Sequence, residues 1–320
     1  MACLLFKPSV LSPKIGVFGL IPKSNLRGHV QAGLFCLKNP PWRVRQILEN
    51  TIVNTPLASD QGTISTRVDG SIGWLVVDNT AKRNALSLAM WKQVSAAVDR
   101  LVADPNVRVI VVRGAGETSF VSGADISEFE QTRSTAAAAK AYDVINVAAF
   151  RALKHAAKPT IAMIRGHCLG GGLGLALACD LRIAAAGSVF GIPAARLGIA
   201  YPLDAMSDIV EAVGPATAKR LLFTAERIGA EEALRIQLIG EAVAEADLDA
   251  RIAALCTQLA NNAPLTQAAA KLAINAIAAG CQDDAMALAA KAAETCFESR
   301  DFAEGRDAFL EKRQPNFSGT

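Results

Sequence analysis

A glycine triplet caught between an apolar run and an Ala/Leu-rich stretch narrows the folds open to this chain. The segment reads Gly166-His167-Cys168-Leu169-Gly170-Gly171-Gly172-Leu173-Gly174-Leu175-Ala176-Leu177-Ala178-Cys179-Asp180, just after Thr160–Ile164. The apolar run predicts a strand and the Ala/Leu stretch a helix, so the triplet opens a helix. Glycine costs a helix about 1 kcal/mol per residue relative to Ala. Three together make sense where backbone must approach something closely. Two readings are open: a helix packed tightly on a sheet, or free N–H groups offered to an anion or a developing oxyanion. A dinucleotide site fits poorly. The glycines run G-x-G-x-G, and the next acid, Asp180, follows too soon to be the ribose-binding acid expected about 20 residues on.

A second glycine-bearing segment, Ser119-Phe120-Val121-Ser122-Gly123-Ala124-Asp125-Ile126, lies about forty residues earlier. Between and around the two, strand and helix patterns alternate. Ser65–Val68 and Gly73–Asp78 read as strands joined by a turn at Asp69-Gly70. Ser87 is placed to cap a helix reaching Ala103, and Asp104-Pro105 ends it. Val107–Val112 is an apolar strand of the kind buried on both faces. Thr135–His155 reads as a helix and Leu181–Ala184 as a strand. This order predicts an α/β domain with right-handed crossovers. From about Ala216 the pattern turns helical, through Ala216–Phe223, Ala230–Ile236, Leu248–Asn261, Leu265–Ala279, Asp283–Ser299 and Arg300–Lys312. The expected division is an N-terminal extension over 1–60, an α/β core over 61–255 and a helical region over 256–320.

Charge separates the extension from the rest. Residues 1–58 carry seven Lys/Arg and one acid, Glu49; the whole chain is +3, which leaves −3 for residues 59–320. A nucleic-acid surface on the body is therefore not expected. The basic, acid-poor extension reads either as a segment without structure or as an organellar leader, so the expected location is cytoplasmic or, with a leader, mitochondrial. No apolar run reaches the roughly 20 residues of a membrane span, and no membrane association is expected. Seven cysteines lack a CxxC pair, and three histidines lack an acid at helical spacing. Neither a disulfide framework nor a metal site is expected.

Taken together, the motifs resemble the crotonase superfamily, the enoyl-CoA hydratase/isomerase family. The likeness runs from about Ser65 to Gly319. It rests on Lys82-Arg83-Asn84-Ala85-Leu86, Ser122-Gly123-Ala124-Asp125, the triplet, Cys179-Asp180-x-Arg182-Ile183-Ala184 and Phe190-x-x-Pro193-x-x-x-Leu197-Gly198. It closes with Ser299-x-Asp301-x-x-Glu304-Gly305-x-x-Ala308-Phe309-x-Glu311-Lys312-Arg313. The resemblance implies a ββα-superhelix core with a helical C-terminal trimerisation region, a homotrimer or hexamer, and an acyl-CoA substrate with no further cofactor. It places the Ala124 and Gly171 N–H groups on the thioester oxygen as an oxyanion hole. It assigns Arg83, Ala85, Asp125, Ile126 and Gly170 to the substrate and CoA site. Phe309 and Lys312 match positions that reach a neighbouring subunit's nucleotide.

One departure changes the expected chemistry. Hydration of a conjugated thioester uses two carboxylates, which the family pattern places at residues 174 and 194. Here these are Gly174 and Ala194. A general acid or base supplies about 10²–10⁴ in rate, so efficient hydration is not expected. Tyr201 and Asp204 are the candidates for proton handling. Tyr201 stands at an offset similar to that of a tyrosine in decarboxylating members of the family; its alternative is a packing role. Asp204 has a helix N-cap as its alternative. Asp208 and Glu211 are expected to be solvated, Asp125 structural, and His167 a residue that orders the loop. The expected function is a thioester-enolate enzyme, with decarboxylation or another lyase reaction, or acyl-CoA binding without turnover, as alternatives.

Overall fold

The strands with uninterrupted apolar sequence form the middle of the largest sheet. In the computed structural model, which describes residues 62–320, β1 (Thr63–Asp69) and β2 (Ile72–Asp78) make an antiparallel hairpin whose register closes at Asp69 and Ile72. The basic N-terminal extension lies outside the described residues. Next come α1 (Leu88–Ala103), β3 (Val109–Gly114), β4 (Ser119–Val121), α2 (Phe129–Thr132) and α3 (Ala136–Lys154). β5 (Thr160–Ile164), β6 (His167–Leu169), α4 (Gly171–Leu177), β7 (Leu181–Ala185), β8 (Val189–Gly191) and α5 (Ala194–Leu197) follow. Then come α6 (Leu203–Thr224), β9 (Arg227–Gly229), α7 (Ala230–Arg235), β10 (Glu241–Val243) and α8 (Leu248–Ala260). α9 (Pro264–Ala278), α10 (Asp283–Glu298) and α11 (Arg300–Glu311) complete the chain.

The main sheet has the order β1-β2-β3-β5-β7-β10, parallel from β2 onward. Both its faces are covered, as an apolar parallel strand requires. Val109, Val111, Ile161, Met163 and Ile183 face α8 through Leu248, Ile252 and Leu255. The alternate residues Ile110, Val112, Ala162, Ile164 and Ala184 join Trp91, Val94 and Leu173 in the larger core. A smaller sheet, β4-β6-β8-β9, carries the short strands beside the glycine segments.

Helix starts follow their caps. Ser87 Oγ accepts from Met90 N–H, Thr135 Oγ1 from Ala138 N–H and Ser299 Oγ from Phe302 N–H. The expectation of helix alone beyond Ala216 is corrected by β9 and β10: too short to show a period, they complete the edges of the two sheets. α6 begins at Leu203, ahead of the expected start, and is bent at Gly214 (φ 73°), just before Pro215. Among the described residues no helix is long and apolar enough to cross a membrane.

Candidate active site

Two loops meet at the N-terminal end of α4. The first is set by Arg83 and Asn84, consecutive left-handed residues with φ of 54° and 58°. Asn84 holds this conformation because its buried amide is fully used. It donates to Ala115 O and Ser119 O at 2.9 and 2.8 Å, and its oxygen accepts from Asn79 N–H at 3.0 Å. Leu86, fixed in this way, donates its N–H to Gly123 O (2.8 Å) and accepts from Asp125 N–H (2.9 Å). Backbone groups alternate in direction along an extended segment. With Gly123 O and Asp125 N–H turned to Leu86, the Ala124 N–H turns the opposite way, toward a chamber that Ala124 lines.

Asp125 locks this loop. Its carboxylate accepts from Ser127 N–H (3.0 Å), Ser127 Oγ (2.6 Å) and Lys82 Nζ (2.7 Å). Burial works to raise its pKa, but the hydrogen bonds from Lys82 and Ser127 together outweigh it and hold the carboxyl below its usual range. The expected structural role for Asp125 agrees with these contacts.

Each glycine of the triplet meets a separate demand. Gly170 caps α4 at φ 51°, ψ −122°, a conformation that a side chain disfavours. A Cβ on Gly171 would stand 3.8 Å from the Ala124 nitrogen and 3.0 Å from Trp91 Cζ2. A Cβ on Gly172 would lie 2.1 Å from Val121 O, so the helix sits directly on β4. Tight packing thus explains Gly172, while Gly171 faces Ala124. Among the described residues neither the Ala124 nor the Gly171 N–H donates to a backbone carbonyl.

Gly174 and Tyr201 share one space. A Cβ on Gly174 would lie 2.8 Å from Phe150 Cζ and 2.9 Å from Tyr201 Oη. The Tyr201 hydroxyl donates to Gly170 O at 3.0 Å. That carbonyl belongs to the peptide whose N–H is that of Gly171, so the bond polarises this N–H. Burial, with Cys168 and Asp208 adding to it, raises the Tyr201 pKa far above its ordinary value, and the phenol is neutral at physiological pH. Ala194, buried at the start of α5, also lines the chamber.

The chamber is narrow, ≈ 80 Å³. Arg133 and Tyr201 are the ionisable side chains on its wall; no carboxylate and no histidine is among the described residues that line it. A larger cleft of ≈ 540 Å³ passes Lys154, Asp180, Asp208 and Lys271. Neither glycine loop reaches that cleft, and these charges already pair with one another.

Other candidates fall elsewhere. Asp204 is not among the lining residues: its carboxylate is bound by Arg151 at 2.6 and 2.7 Å. It occupies the first turn of α6 and does not cap it. Asp208, expected in solvent, is buried against Lys154 (2.6 Å), and burial raises its pKa. Glu211 joins the same lysine at 3.3 Å. His167 Nδ1 lies 3.4 Å from Ser119 Oγ and 3.3 Å from Thr118 O, ordering the loop as expected. Arg83 is exposed, Ala85 is buried, and Ile126 and Gly170 line the chamber. Phe309 and Lys312 are exposed at the end of α11. Sequence reasoning missed Trp91, Arg133, Asn146 and Phe150. A signal existed on α3, where Tyr142, Asn146 and Phe150 recur at four-residue steps along one buried stripe.

The family model for Enoyl-CoA hydratase/isomerase matches residues 67–320. The chain belongs to the enoyl-CoA hydratase/isomerase family. Within it, the chain is 34% identical over 249 residues to a short-chain-enoyl-CoA hydratase of Clostridium acetobutylicum, covering 77% of this chain and 94% of the relative. It is 36% identical over 243 residues to a crotonyl-CoA hydratase of Syntrophomonas wolfei, covering 76% and 93%. A solved structure, an enoyl-CoA hydratase/carnithine racemase from Magnetospirillum magneticum, superposes with a TM-score of 0.75 at 32% identity. It covers 81% of this chain and 96% of that one. The crotonase fold expected from the motifs is thereby established, and with it membership in a family of acyl-CoA enzymes.

Proposed function

We propose that this protein forms a thioester enolate from an acyl-CoA, with the carbonyl oxygen held by the Ala124 and Gly171 N–H groups, and that it hydrates enoyl-CoA poorly. The observation that carries the reading is the Tyr201 hydroxyl 2.9 Å from where a side chain at residue 174 would begin. Enolate formation moves charge onto the oxygen, so two oriented donors act more strongly on the transition state than on the ground state. One such donor is worth about 3–4 kcal/mol. Adding water further requires a group that takes a proton from it. A neutral phenol and an arginine are poor bases, and no carboxylate lines the chamber among the described residues.

The same inventory favours decarboxylation as the specific reaction. Loss of CO₂ breaks the bond between the α-carbon and its carboxylate and leaves the electron pair in the enolate. No base takes part. Only a proton must be returned to the α-carbon, and a neutral Tyr201, its hydroxyl turned from Gly170 O, can donate one and be reloaded by water. The test is turnover of malonyl-CoA and methylmalonyl-CoA by wild type and Tyr201→Phe. CO₂ release that falls about 10²-fold or more in the variant supports the assignment. Equal rates remove Tyr201 from the mechanism, and tight binding without turnover of either ester, or of crotonyl-CoA, replaces the enzyme reading with an acyl-CoA-binding one.

The homotrimer or hexamer is part of the proposal. Ile274, Ile277, Phe297, Phe309 and Leu310 on α9–α11 expose large apolar side chains, as surfaces that meet a partner do. Whether residues 1–60 act as a leader is tested by mass spectrometry of the native N-terminus.

A further inference from the structure

Buried polar atoms outside any close hydrogen bond gather at and behind one wall of the chamber. Trp91 Nε1, Arg133 Nε, Tyr142 Oη and Asn146 Oδ1 are buried without a hydrogen-bond partner among the described residues. Trp91, Tyr142 and Asn146 are 0%, 3% and 6% exposed. Folded proteins pair roughly 90% or more of their buried polar groups. The Trp91 indole N–H and the Tyr142 hydroxyl lie close enough to act on each other, which leaves Arg133 Nε and Asn146 Oδ1, on the chamber wall, as the place where an occupant supplies the missing bonds.

The donor types specify that occupant. Indole Nε1–H and guanidinium Nε–H donate only, and the Asn146 amide presents its oxygen or, turned over, two further donors. Trp91, Arg133 and Asn146 line the chamber itself. Tyr142 lies one helical turn from Asn146 on α3, and the Arg133 guanidinium stacks over its ring at 4.1 Å. Burial pushes the Tyr142 phenol up to about 12, against the opposing pull of the Arg133 charge and the Trp91 indole N–H, so it is a neutral hydroxyl facing that indole. Arg133 is immobilised before any ligand arrives: it also stacks over Phe129 at 5.2 Å and binds Asp143 Oδ1 through Nη2 at 2.6 Å. Its Nε–H is left over, held in a fixed direction.

We propose that Arg133 and Asn146 determine substrate specificity by binding an oxygen at the outer end of the acyl group, a terminal carboxylate or hydroxyl. An apolar acyl chain of the crotonyl type strands these polar groups, and a site built to hydrogen-bond a substrate group discriminates strongly against the analogue that lacks it. The inference rests on the acyl-CoA reading above and adds the substrate's chemical class.

The test is calorimetric affinity for three four-carbon esters with matched chains: butyryl-CoA, 4-hydroxybutyryl-CoA and succinyl-CoA. At least one oxygen-bearing ester is expected to bind about tenfold or more tightly than butyryl-CoA, the margin of one well-made hydrogen bond. Preference for succinyl-CoA identifies a carboxylate, and preference for 4-hydroxybutyryl-CoA a neutral oxygen. Asn146→Leu and, separately, Arg133→Met should bring the ratio toward one. The two substitutions lie on different elements, Asn146 on α3 and Arg133 at the end of α2, so a folding failure of the first leaves the test intact. Butyryl-CoA binding as tightly as both others, or a ratio unchanged in both variants, overturns the proposal and assigns the orphan atoms to trapped water. Failure of all three esters to bind overturns the acyl-CoA reading and this inference with it.

Discussion

Tyr201 and Gly174 divide one space between them, and the proposed chemistry rests on that division. A carboxylate grown from residue 174 must displace the hydroxyl that polarises the Gly170–Gly171 peptide, and must move Phe150 as well. Gly174→Glu is therefore expected to leave crotonyl-CoA hydration at the wild-type level; a gain of about 10²-fold or more would show that the pocket accepts the acid. Asp125 gives a pH prediction. Its folded pKa lies below the usual carboxylate range, so the folded state binds this proton less readily than the unfolded one. The carboxylate stabilises the fold above the usual carboxylate range, and that contribution fades as pH falls through the folded value. Urea denaturation of wild type and Asp125→Asn should show a stability gap at pH 7 that narrows toward pH 3; a constant gap contradicts the assignment.

At the level of elements, the α4 helix depends on its contact with β4. Alanine ordinarily stabilises a helix relative to glycine by about 1 kcal/mol. At residue 172 the sign reverses, because Val121 O is backbone and cannot give way. Gly172→Ala is expected to lower unfolding free energy by about 3 kcal/mol or more, measured by denaturant titration, or to prevent folding. The long elements were legible in the sequence: α1 and α3 announce themselves by Ser87 and Thr135, and β5 by its apolar run. The short strands β4, β6, β8 and β9 were not, since three residues cannot display a period. The proposed site was legible where backbone would make it, at Ala124 and Gly171. It was hidden where side chains from distant elements converge. Tyr201 reaches Gly170 across 31 residues, and nothing local distinguishes Asp204, bound to Arg151, from an acid facing the chamber.

Across the whole molecule, Asp180 joins the core to the C-terminal helices. It accepts from Thr160 N–H (2.7 Å) and Thr160 Oγ1 (2.9 Å) on β5 and from Lys271 Nζ (2.8 Å) on α9. Lys271 keeps 10% side-chain exposure, so losing its partner strands a buried charge. Asp180→Ala should cost about 2–3 kcal/mol, less than a fully buried pair because Asp180 itself keeps 27% exposure. The exposed apolar α9–α11 surface supports the proposed trimer or hexamer, so light scattering is expected to give three or six protomers, and a monomer would contradict the proposal. The central claim is that the chamber stabilises an enolate without a carboxylate to activate water. Its most direct test is kcat/KM for crotonyl-CoA hydration by the purified protein. The expected value lies about 10⁴-fold or more below the diffusional ceiling of about 10⁸–10⁹ M⁻¹s⁻¹, and a value near that ceiling would contradict the account.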